Sequence, residues 1–211
     1  MSEHRLELWL PIGAYLVGAI PFAFLIGRLA GVDLRVDGSG NVGAGNLTRT
    51  VGLPAGIGVA FLDGLKGLVP TYLAGRLGLA GGLVAMTGMA AVAGHNWSVW
   101  LRGRSGRGLA TSVGVVAALD PVLVLWTALW AAAGWKLRGG LGGFVGWSTL
   151  PMVAAGWARP APAALLAFGL ATLMVTRRIQ GNPDRRSGVT AGLYRAIFDE
   201  DPGPAEEMAR A

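Results

Sequence analysis

Near the start of the chain, a run of small and polar residues separates two long apolar segments: Asp37-Gly38-Ser39-Gly40-Asn41-Val42-Gly43-Ala44-Gly45-Asn46-Leu47-Thr48-Arg49. Its glycines allow several backbone N–H groups to point at one bound group, and its hydroxyls, amides and arginine add directional donors. This combination is typical of an oxyanion site, most often one for phosphate. A glycine-rich linker between two helices is the alternative, although a linker does not need Asn41, Asn46 and Arg49 at close spacing.

The glycine spacing in this run also matches a dinucleotide-binding fingerprint, Gly38-x-Gly40-x-x-Gly43. That fingerprint requires a buried strand before it and a βαβ unit around it. Here the apolar segments 8–27 and 53–74 flank the run, and each is long enough to span a membrane. We therefore predict a loop between two transmembrane helices and not a nucleotide-binding fold.

The composition of the whole chain also indicates a membrane protein. Its 211 residues are 53% hydrophobic and 14% charged, whereas soluble domains contain about 25% charged residues. The absence of cysteine excludes disulfides, thiolate metal sites and a cysteine nucleophile. We predict an all-α polytopic integral membrane protein with a single membrane domain over residues 1–186 and a polar cytoplasmic tail over residues 187–211.

Seven apolar segments can be placed, at residues 8–27, 53–74, 77–101, 109–119, 121–135, 142–157 and 160–175. Residues 108–135 are divided at Asp120-Pro121 because a single helix would be about 42 Å long, which exceeds a hydrocarbon core of about 30 Å. With seven spans, most arginines fall in the loops and tail on one side, which the positive-inside rule assigns to the cytoplasm. Six spans would move Lys136, Arg138 and the tail outside. We therefore predict seven transmembrane helices with the N-terminus outside and the C-terminus cytoplasmic.

Two charged residues and a histidine lie inside the predicted spans. Asp63 and Lys66 are three residues apart and share a helix face, either as an internal ion pair or as the lining of a polar cavity. His95 is the only histidine outside the N-terminal tail. It is either a hydrogen-bonded structural residue or a general base that works near neutral pH.

Two arginine-rich segments follow these spans. The segment 102–108 contains Arg102, Arg104 and Arg107 among glycines, just before a predicted helix start at Leu109. Nucleic-acid binding, a charge that sets membrane topology and phosphate capture at a helix N-terminus are the alternatives. The segment 177–185 is either a cytoplasmic stop-transfer run or, through Asn182 and Arg185, the completion of an anion site.

In this order, the four segments resemble the motifs of the bacterial acyl-phosphate:glycerol-3-phosphate acyltransferases of the PlsY type. Residues 38–49 match the motif GSGNxGATNxxR, except that Gly45 replaces threonine. Residues 63–67 match DxxKG, residues 94–111 resemble GHxxPxFxxFKGGKGVAT, and the last motif, HxxNIxR, is kept at Asn182 and Arg185. The resemblance covers residues 8–186.

The resemblance implies an enzyme of phospholipid synthesis in the bacterial inner membrane, with seven spans and an active site that faces the cytoplasm. It implies acyl transfer from acyl phosphate to the 1-position of glycerol 3-phosphate, which yields lysophosphatidic acid and phosphate without a metal or cofactor. The implied catalytic residues are Ser39, Asn46 and His95. The implied phosphate-binding residues are Gly40, Asn41, Arg49, Lys66, Arg104, Arg107, Asn182 and Arg185. The expected partners are both substrates, membrane lipid and the enzyme that supplies acyl phosphate, and not nucleic acid.

The chain departs from the family pattern at several positions. Arg104 and Arg107 replace lysines, which keeps the charge but changes the geometry of the contacts. Ser98 replaces a proline, and Ile179 stands where the tail histidine is expected. The alternatives are a diverged relative with another acceptor or without catalysis, and a small organic-anion transporter. A transporter predicts paired repeats with interrupted spans, and the two halves of the sequence show no convincing repeat.

Overall fold

The computed structural model describes residues 3–136, 140–156, 161–181, 191–192 and 194–195. The helices are α1 (Glu3–Ala19), α2 (Phe22–Leu29), α3 (Ala44–Thr50), α4 (Leu53–Arg76), α5 (Gly81–Asn96), α6 (Leu109–Leu119), α7 (Pro121–Lys136), α8 (Gly140–Gly156) and α9 (Ala161–Gln180), with a short 3-10 helix at Val99–Leu101. The predicted all-α class is therefore confirmed, and α6 and α7 are divided at Asp120, as predicted. Arg138 and the predicted span boundaries at residues 157 and 160 lie outside the described residues.

The first predicted span is broken in the structure. α1 ends at Ala19 and α2 begins at Phe22, because Pro21 lacks an N–H and disfavours helix in the residue before it. Across this break, the hydroxyl of Ser98 donates a hydrogen bond to the carbonyl of Ala19 at 2.6 Å. Ser98, one of the departures from the family pattern, thus ties the end of α1 to the start of the 3-10 helix.

Glycines allow α1 and α5 to cross at backbone distance. Gly18 lies against the carbonyl of Ala91, and Gly94 lies against the carbonyl of Tyr15. A Cβ on either glycine would overlap the facing carbonyl oxygen. Small residues of this kind let membrane helices pack closely in the absence of a hydrophobic driving force between them.

Glycines also allow α4 and α6 to cross at backbone distance. Gly67 lies against the carbonyl of Thr111, and Gly114 lies against the carbonyl of Gly64. Here too a Cβ would overlap the opposite backbone. The second crossing fixes the second motif, on α4, relative to the end of the third motif, at the start of α6.

α5 and α9 run side by side in the same direction. Three contacts show this, in order along both helices: Gly81 with Pro162, Met89 with Gly169, and the Asn96 amide with the Leu173 carbonyl at 3.2 Å. Both helices therefore bring their C-terminal ends to the same end of the bundle, where the hairpin 102–108 begins.

The described chain has the length and surface of a membrane protein. Three segments are long and apolar enough to cross a bilayer: Trp9–Leu29, which α1 and α2 form together, Leu53–Arg76 and Ala161–Gln180. α6 is a shorter apolar helix. Large apolar side chains are exposed along several helices, among them Leu16, Ile57, Phe61, Leu125, Met152, Leu165 and Phe168. In a soluble protein so much exposed apolar surface would mark an interface, and on helices of this length and composition it fits contact with lipid.

Candidate active site

The glycine-rich loop is anchored by buried apolar side chains and ends in α3. Leu34, Val42 and Leu47 are at most 2% exposed and pack in one apolar cluster with Val59 of α4. Between these anchors the backbone takes positive φ angles at Gly38 and Gly40, 62° and 72°, which side chains other than glycine rarely adopt. The loop thus has one defined shape, set on α4.

Asn46 holds this loop together from within. Its side chain is fully buried, and its Oδ1 accepts a hydrogen bond from the backbone N–H of Ser39 at 2.9 Å. Its Nδ2 donates to the carbonyls of Asp37 at 2.9 Å and Leu34 at 3.3 Å. Both amide hydrogens are therefore used inside the loop. Asn46 thus supports the shape of the loop, and its catalytic role stays a prediction.

Three other residues of the first motif have different surroundings. The Ser39 hydroxyl accepts a hydrogen bond from the backbone N–H of Asn41 at 3.4 Å. Asn41 is half-buried, and Arg49 is exposed on α3. Although Asn46 and Arg49 are three residues apart on a helix, as predicted, the first is buried and the second is exposed, so they do not share one environment.

Asp63, Lys66 and His95 form one buried polar group. Lys66 Nζ lies 2.7 Å from Asp63 Oδ1, which confirms the predicted pairing on one face of α4. His95 Nδ1 lies 3.5 Å from Lys66 Nζ and 3.7 Å from Asp63 Oδ1. The ring of Phe22 lies 5.0 Å from Lys66 Nζ, within the range of a cation–π contact.

Both ring nitrogens of His95 face protein groups. Nδ1 lies near both the Lys66 amino group, a donor, and the Asp63 carboxylate, an acceptor, so it has a partner in either tautomer of the ring. Nε2 faces Gly106, where a Cβ would overlap it. The structure therefore places His95 in the lining of the cavity described below, and its catalytic role stays a prediction.

The hairpin 102–108 is held by an arginine from the far end of the chain. Arg177 is 3% exposed and donates from Nε to the carbonyl of Gly106 at 3.1 Å and from Nη2 to that of Ser105 at 2.8 Å. Its Nη1 donates to the carbonyl of Gly181. The sequence presented Arg177 only as part of a topology-setting run, and nothing in that run marks it as the residue that binds the hairpin.

A cavity of about 200 Å³ lies where these segments meet. It is lined by the first motif at Asn41, Gly43, Ala44 and Gly45; by Ala60, Asp63 and His95; by the start of α6 at Arg107, Gly108, Leu109 and Ala110; and by α9 at Met174 and Arg178. Gly108 is the N-cap of α6 and has a φ of 76°. The first turn of α6, whose N–H groups have no partner within the helix, lines the same cavity as Arg107 and Arg178. A helix N-terminus flanked by guanidinium groups favours an anion.

An open apolar groove of about 420 Å³ runs between α5 and α9. It is lined by Met86, Met89, Ala90, Ala93, Phe168, Gly169, Thr172 and Leu173. Leu173 in the groove is followed directly by Met174 in the cavity, and Ala93 is two residues before His95. The groove therefore leads along both helices toward the polar cavity.

A protein-family model described as glycerol-3-phosphate acyltransferase matches residues 8–186. The chain belongs to the glycerol-3-phosphate acyltransferase family. The family member from Trichlorobacter lovleyi is 39% identical over 87% of this chain and 95% of its own length. Glycerol-3-phosphate acyltransferase 5 of Dehalococcoides mccartyi is 38% identical over 89% of this chain and 84% of its own length.

Two crystal structures of PlsY (YgiH), an integral membrane glycerol 3-phosphate acyltransferase, have the same fold. The glycerol 3-phosphate form has a TM-score of 0.79 and 32% identity and covers 97% of this chain and 99% of its own. The lysophosphatidic acid form has a TM-score of 0.74 and 35% identity and covers 82% of this chain and 87% of its own. This chain is thus similar to a membrane acyltransferase over nearly its whole length.

The family residues predicted from the sequence divide into three groups. Asn41, His95 and Arg107 line the cavity, whereas Ser39, Gly40, Asn46, Arg49, Lys66 and Arg104 belong to the same segments without lining it. Asn182 and Arg185 lie outside the described residues. Sequence reasoning missed Arg177 and Arg178, because an arginine pair at the end of an apolar span looks the same whether it faces water or a buried site.

Proposed function

We propose that this chain is a membrane acyltransferase that moves a fatty acyl group from acyl phosphate to the 1-position of glycerol 3-phosphate. The products are lysophosphatidic acid and phosphate. The observation that carries the proposal is the cavity lined by Arg107, Arg178 and the N-terminus of α6, together with an apolar groove that leads toward it along α5 and α9. Such a site accepts a phosphate at one end and an acyl chain at the other.

In this proposal the polar cavity holds the substrate phosphates. Arg107 and Arg178 supply guanidinium forks, Asn41 supplies an amide, and the first turn of α6 supplies backbone donors. Two anionic substrates repel each other, so closely placed cations are needed to bring the hydroxyl and the acyl carbonyl together. We assign phosphate contacts also to Gly40, Arg49, Lys66, Arg104, Asn182 and Arg185, which belong to the segments around the cavity or directly follow α9.

The groove between α5 and α9 takes the acyl chain. Its lining is apolar apart from Thr172, whose hydroxyl donates to the carbonyl of Phe168 at 2.9 Å. An acyl chain there is removed from water along its length, with a gain of about 0.8 kcal/mol for each buried methylene group. The carboxyl end then lies beside Met174, at the edge of the polar cavity.

The reaction needs no base that retains a proton. The glycerol 3-phosphate hydroxyl oxygen forms a bond to the acyl carbon, the bond from that carbon to the phosphate oxygen breaks, and the hydroxyl proton ends on the released phosphate. We assign the relay of this proton to His95, which lines the cavity beside Gly106. Ser39 is the hydroxyl of the first motif that remains for the developing oxyanion, which gains most from donors aimed in advance.

We further propose seven spans, with the N-terminus outside, the cavity facing the cytoplasm of a bacterium's inner membrane, and residues 187–211 as a cytoplasmic tail beyond one domain of residues 1–186. The shared direction of α5 and α9 supports this count, because successive spans alternate and two parallel spans are separated by an odd number of others. α6, α7 and α8 supply three. Merging α6 and α7 into one span would set α9 antiparallel to α5. An enzyme that makes acyl phosphate would then deliver its product from the same side.

The proposal is tested with purified protein in detergent, supplied with acyl phosphate and glycerol 3-phosphate. We expect lysophosphatidic acid and phosphate in equal amounts, and we expect Arg107→Gln to reduce the yield at least tens-fold, since charge-assisted contacts contribute about 1.5–3 kcal/mol each. Detergent removes any sealed compartment, so a transporter gives no signal. If the detergent-solubilised protein consumes no acyl phosphate while liposomes containing it take up glycerol 3-phosphate, the enzyme assignment is wrong.

A further inference from the structure

An arginine beyond the family-matched region is fully buried against the end of α9. The family match ends at residue 186, yet Arg195 has 0% exposure. Arginine is almost never fully buried unless its donors are satisfied. Ala191, four residues earlier, is also buried, at 7% exposure. The described residues 191–192 and 194–195 are thus docked onto the membrane domain.

The guanidinium of Arg195 caps α9. Nη2 donates to the carbonyl of Ile179 at 2.6 Å and Nε to that of Arg178 at 3.3 Å. The last carbonyls of a helix have no partner within the helix, so Arg195 satisfies acceptors that would otherwise need water. The group lies over Gly181, whose φ is 65° and where a Cβ would be 2.8 Å from Arg195 Cζ.

The contact is reciprocal and reaches the cavity. Arg178 Nε donates to the backbone carbonyl of Arg195 at 3.1 Å. Arg178 is itself only 7% exposed and lines the cavity opposite the start of α6. The direction of the Arg178 side chain is therefore fixed by the backbone at residue 195.

We propose that Arg178 binds the phosphate of glycerol 3-phosphate and that Arg195 is the positioning residue that holds Arg178 in place. This inference rests on the proposed function for its substrate. Ile179, which stands where the family pattern expects a histidine, is 46% exposed and has no polar group to offer. The neighbouring Arg178 lines the cavity, and its contact with the backbone carbonyl of Arg195 fixes its orientation.

The test uses the full-length protein in detergent with Arg178→Gln, Arg195→Gln and the double variant. Arg178→Gln should raise the KM for glycerol 3-phosphate about ten-fold or more, as expected for loss of a charge-assisted contact with phosphate. Arg195→Gln should raise the same KM by a similar factor and leave kcat within about three-fold, because the contact it orients is a binding contact. Arg76→Gln, an exposed arginine at the end of α4, is the matched control.

The double variant separates positioning from general support of the fold. If Arg195 acts through Arg178, the KM of the double variant equals that of Arg178→Gln alone. Multiplied effects, or an Arg195→Gln protein with a lower Tm and an unchanged KM, overturn the proposal. If Arg195→Gln does not fold, Arg195→Lys takes its place: it keeps one donor to the α9 carbonyls and should give an intermediate KM, and a wild-type KM contradicts the proposal.

A second readout does not depend on acyl transfer. Glycerol 3-phosphate should raise the Tm of the wild-type protein, and this shift should disappear in both single variants. If the wild-type protein makes no lysophosphatidic acid but shows this arginine-dependent shift, the proposed function fails while the binding assignment stands. If acyl transfer is normal and Arg178→Gln leaves both the KM and the shift unchanged, the binding assignment fails and the function stands.

Discussion

Two glycine-rich segments line the cavity, and they are held in opposite ways. The loop 37–46 is fastened by Asn46, a residue of the loop itself, which bonds Ser39, Leu34 and Asp37. The hairpin 102–108 is fastened by Arg177, which comes from α9, 71 and 72 residues away from its two partners. The first segment has its own local support, whereas the shape of the second depends on the packing of the whole bundle.

Removing the distant support should have the largest effect. Arg177→Gln leaves the carbonyls of Ser105 and Gly106 without their donors, and each buried acceptor without a partner costs about 1–3 kcal/mol. We expect kcat/KM for glycerol 3-phosphate to fall about a hundred-fold or more, by the conversion of about 1.4 kcal/mol to each factor of ten. Kinetics of the purified variant measure this.

The matched variant is Arg177→Lys, which keeps the charge. A lysine lacks the planar fork that reaches two neighbouring carbonyls, so it should recover little. Full recovery by lysine would show that charge alone matters at residue 177, and that the hairpin does not need the two bonds.

Removing the local support should mainly lower the stability of the protein. The catalytic activity of the fraction that stays folded should fall less. Asn46→Ala loses one acceptor and two donors inside the loop, which at about 1 kcal/mol for each bond gives a loss of about 2–3 kcal/mol. Asn46→Asp should be no better, because its carboxylate would face the carbonyls of Asp37 and Leu34. Thermal unfolding in detergent checks both. An unchanged Tm with lost activity would instead indicate that Asn46 acts as a catalytic donor.

The same contrast explains what could be predicted from the sequence. The loop 37–49 can be predicted from the sequence because its support, its glycines and its polar groups lie in one continuous stretch. The Asp63–Lys66 pair was equally predictable, since residues three apart on a helix meet whatever else the fold does. Both required only the geometry of a single element.

The other side of the site could not be predicted from local pattern. Whether Arg177, Arg178 and Arg195 face water, lipid or a cavity depends on how α5, α6 and α9 pack, and a run of arginines after an apolar span is the same in each case. Residues 8–27 predict one transmembrane span because they are continuously hydrophobic, although the chemistry of Pro21 indicates a break in the helix. The role of His95 likewise depended on Gly106, a residue from the following segment.

Two glycine substitutions, one in each motif segment, should differ moderately in their effects on stability and activity. Gly106→Ala places a methyl group against the buried ring of His95, and overpacking of this kind costs about 1–3 kcal/mol. Gly45→Thr introduces the residue that the family motif has, at a helical position where a Cβ meets nothing within 4 Å. We expect a lower Tm and lower activity for Gly106→Ala and an unchanged Tm for Gly45→Thr. Equal losses in the two variants would contradict the difference in support.

The smallest expected effect lies at the entrance to the first loop, outside the spans. Asp33 bonds the Nε and Nη2 of Arg35 at 2.9 and 2.6 Å, and Arg35 lies over the ring of Phe24 at 4.8 Å. These hydrogen bonds from Arg35 lower the pKa of Asp33 from 3.8 to about 2, against a smaller opposing effect of burial. A folded-state pKa below the unfolded value gives stability that is present above pH 3.8 and is lost as the pH falls through about 2.

Asp33→Asn should therefore lower the Tm slightly between pH 5 and 7, with a loss of less than about 1 kcal/mol because the pair is close to the surface. The difference from wild type should stay constant down to about pH 4 and shrink below it, since protonated wild type then resembles the variant. Melting curves of both proteins at several pH values measure this. If the Tm difference between the two proteins grows as the pH falls, the Asp33 carboxylate destabilises the loop. Asp33 would then not be part of the local support of the first segment, which would start at Leu34.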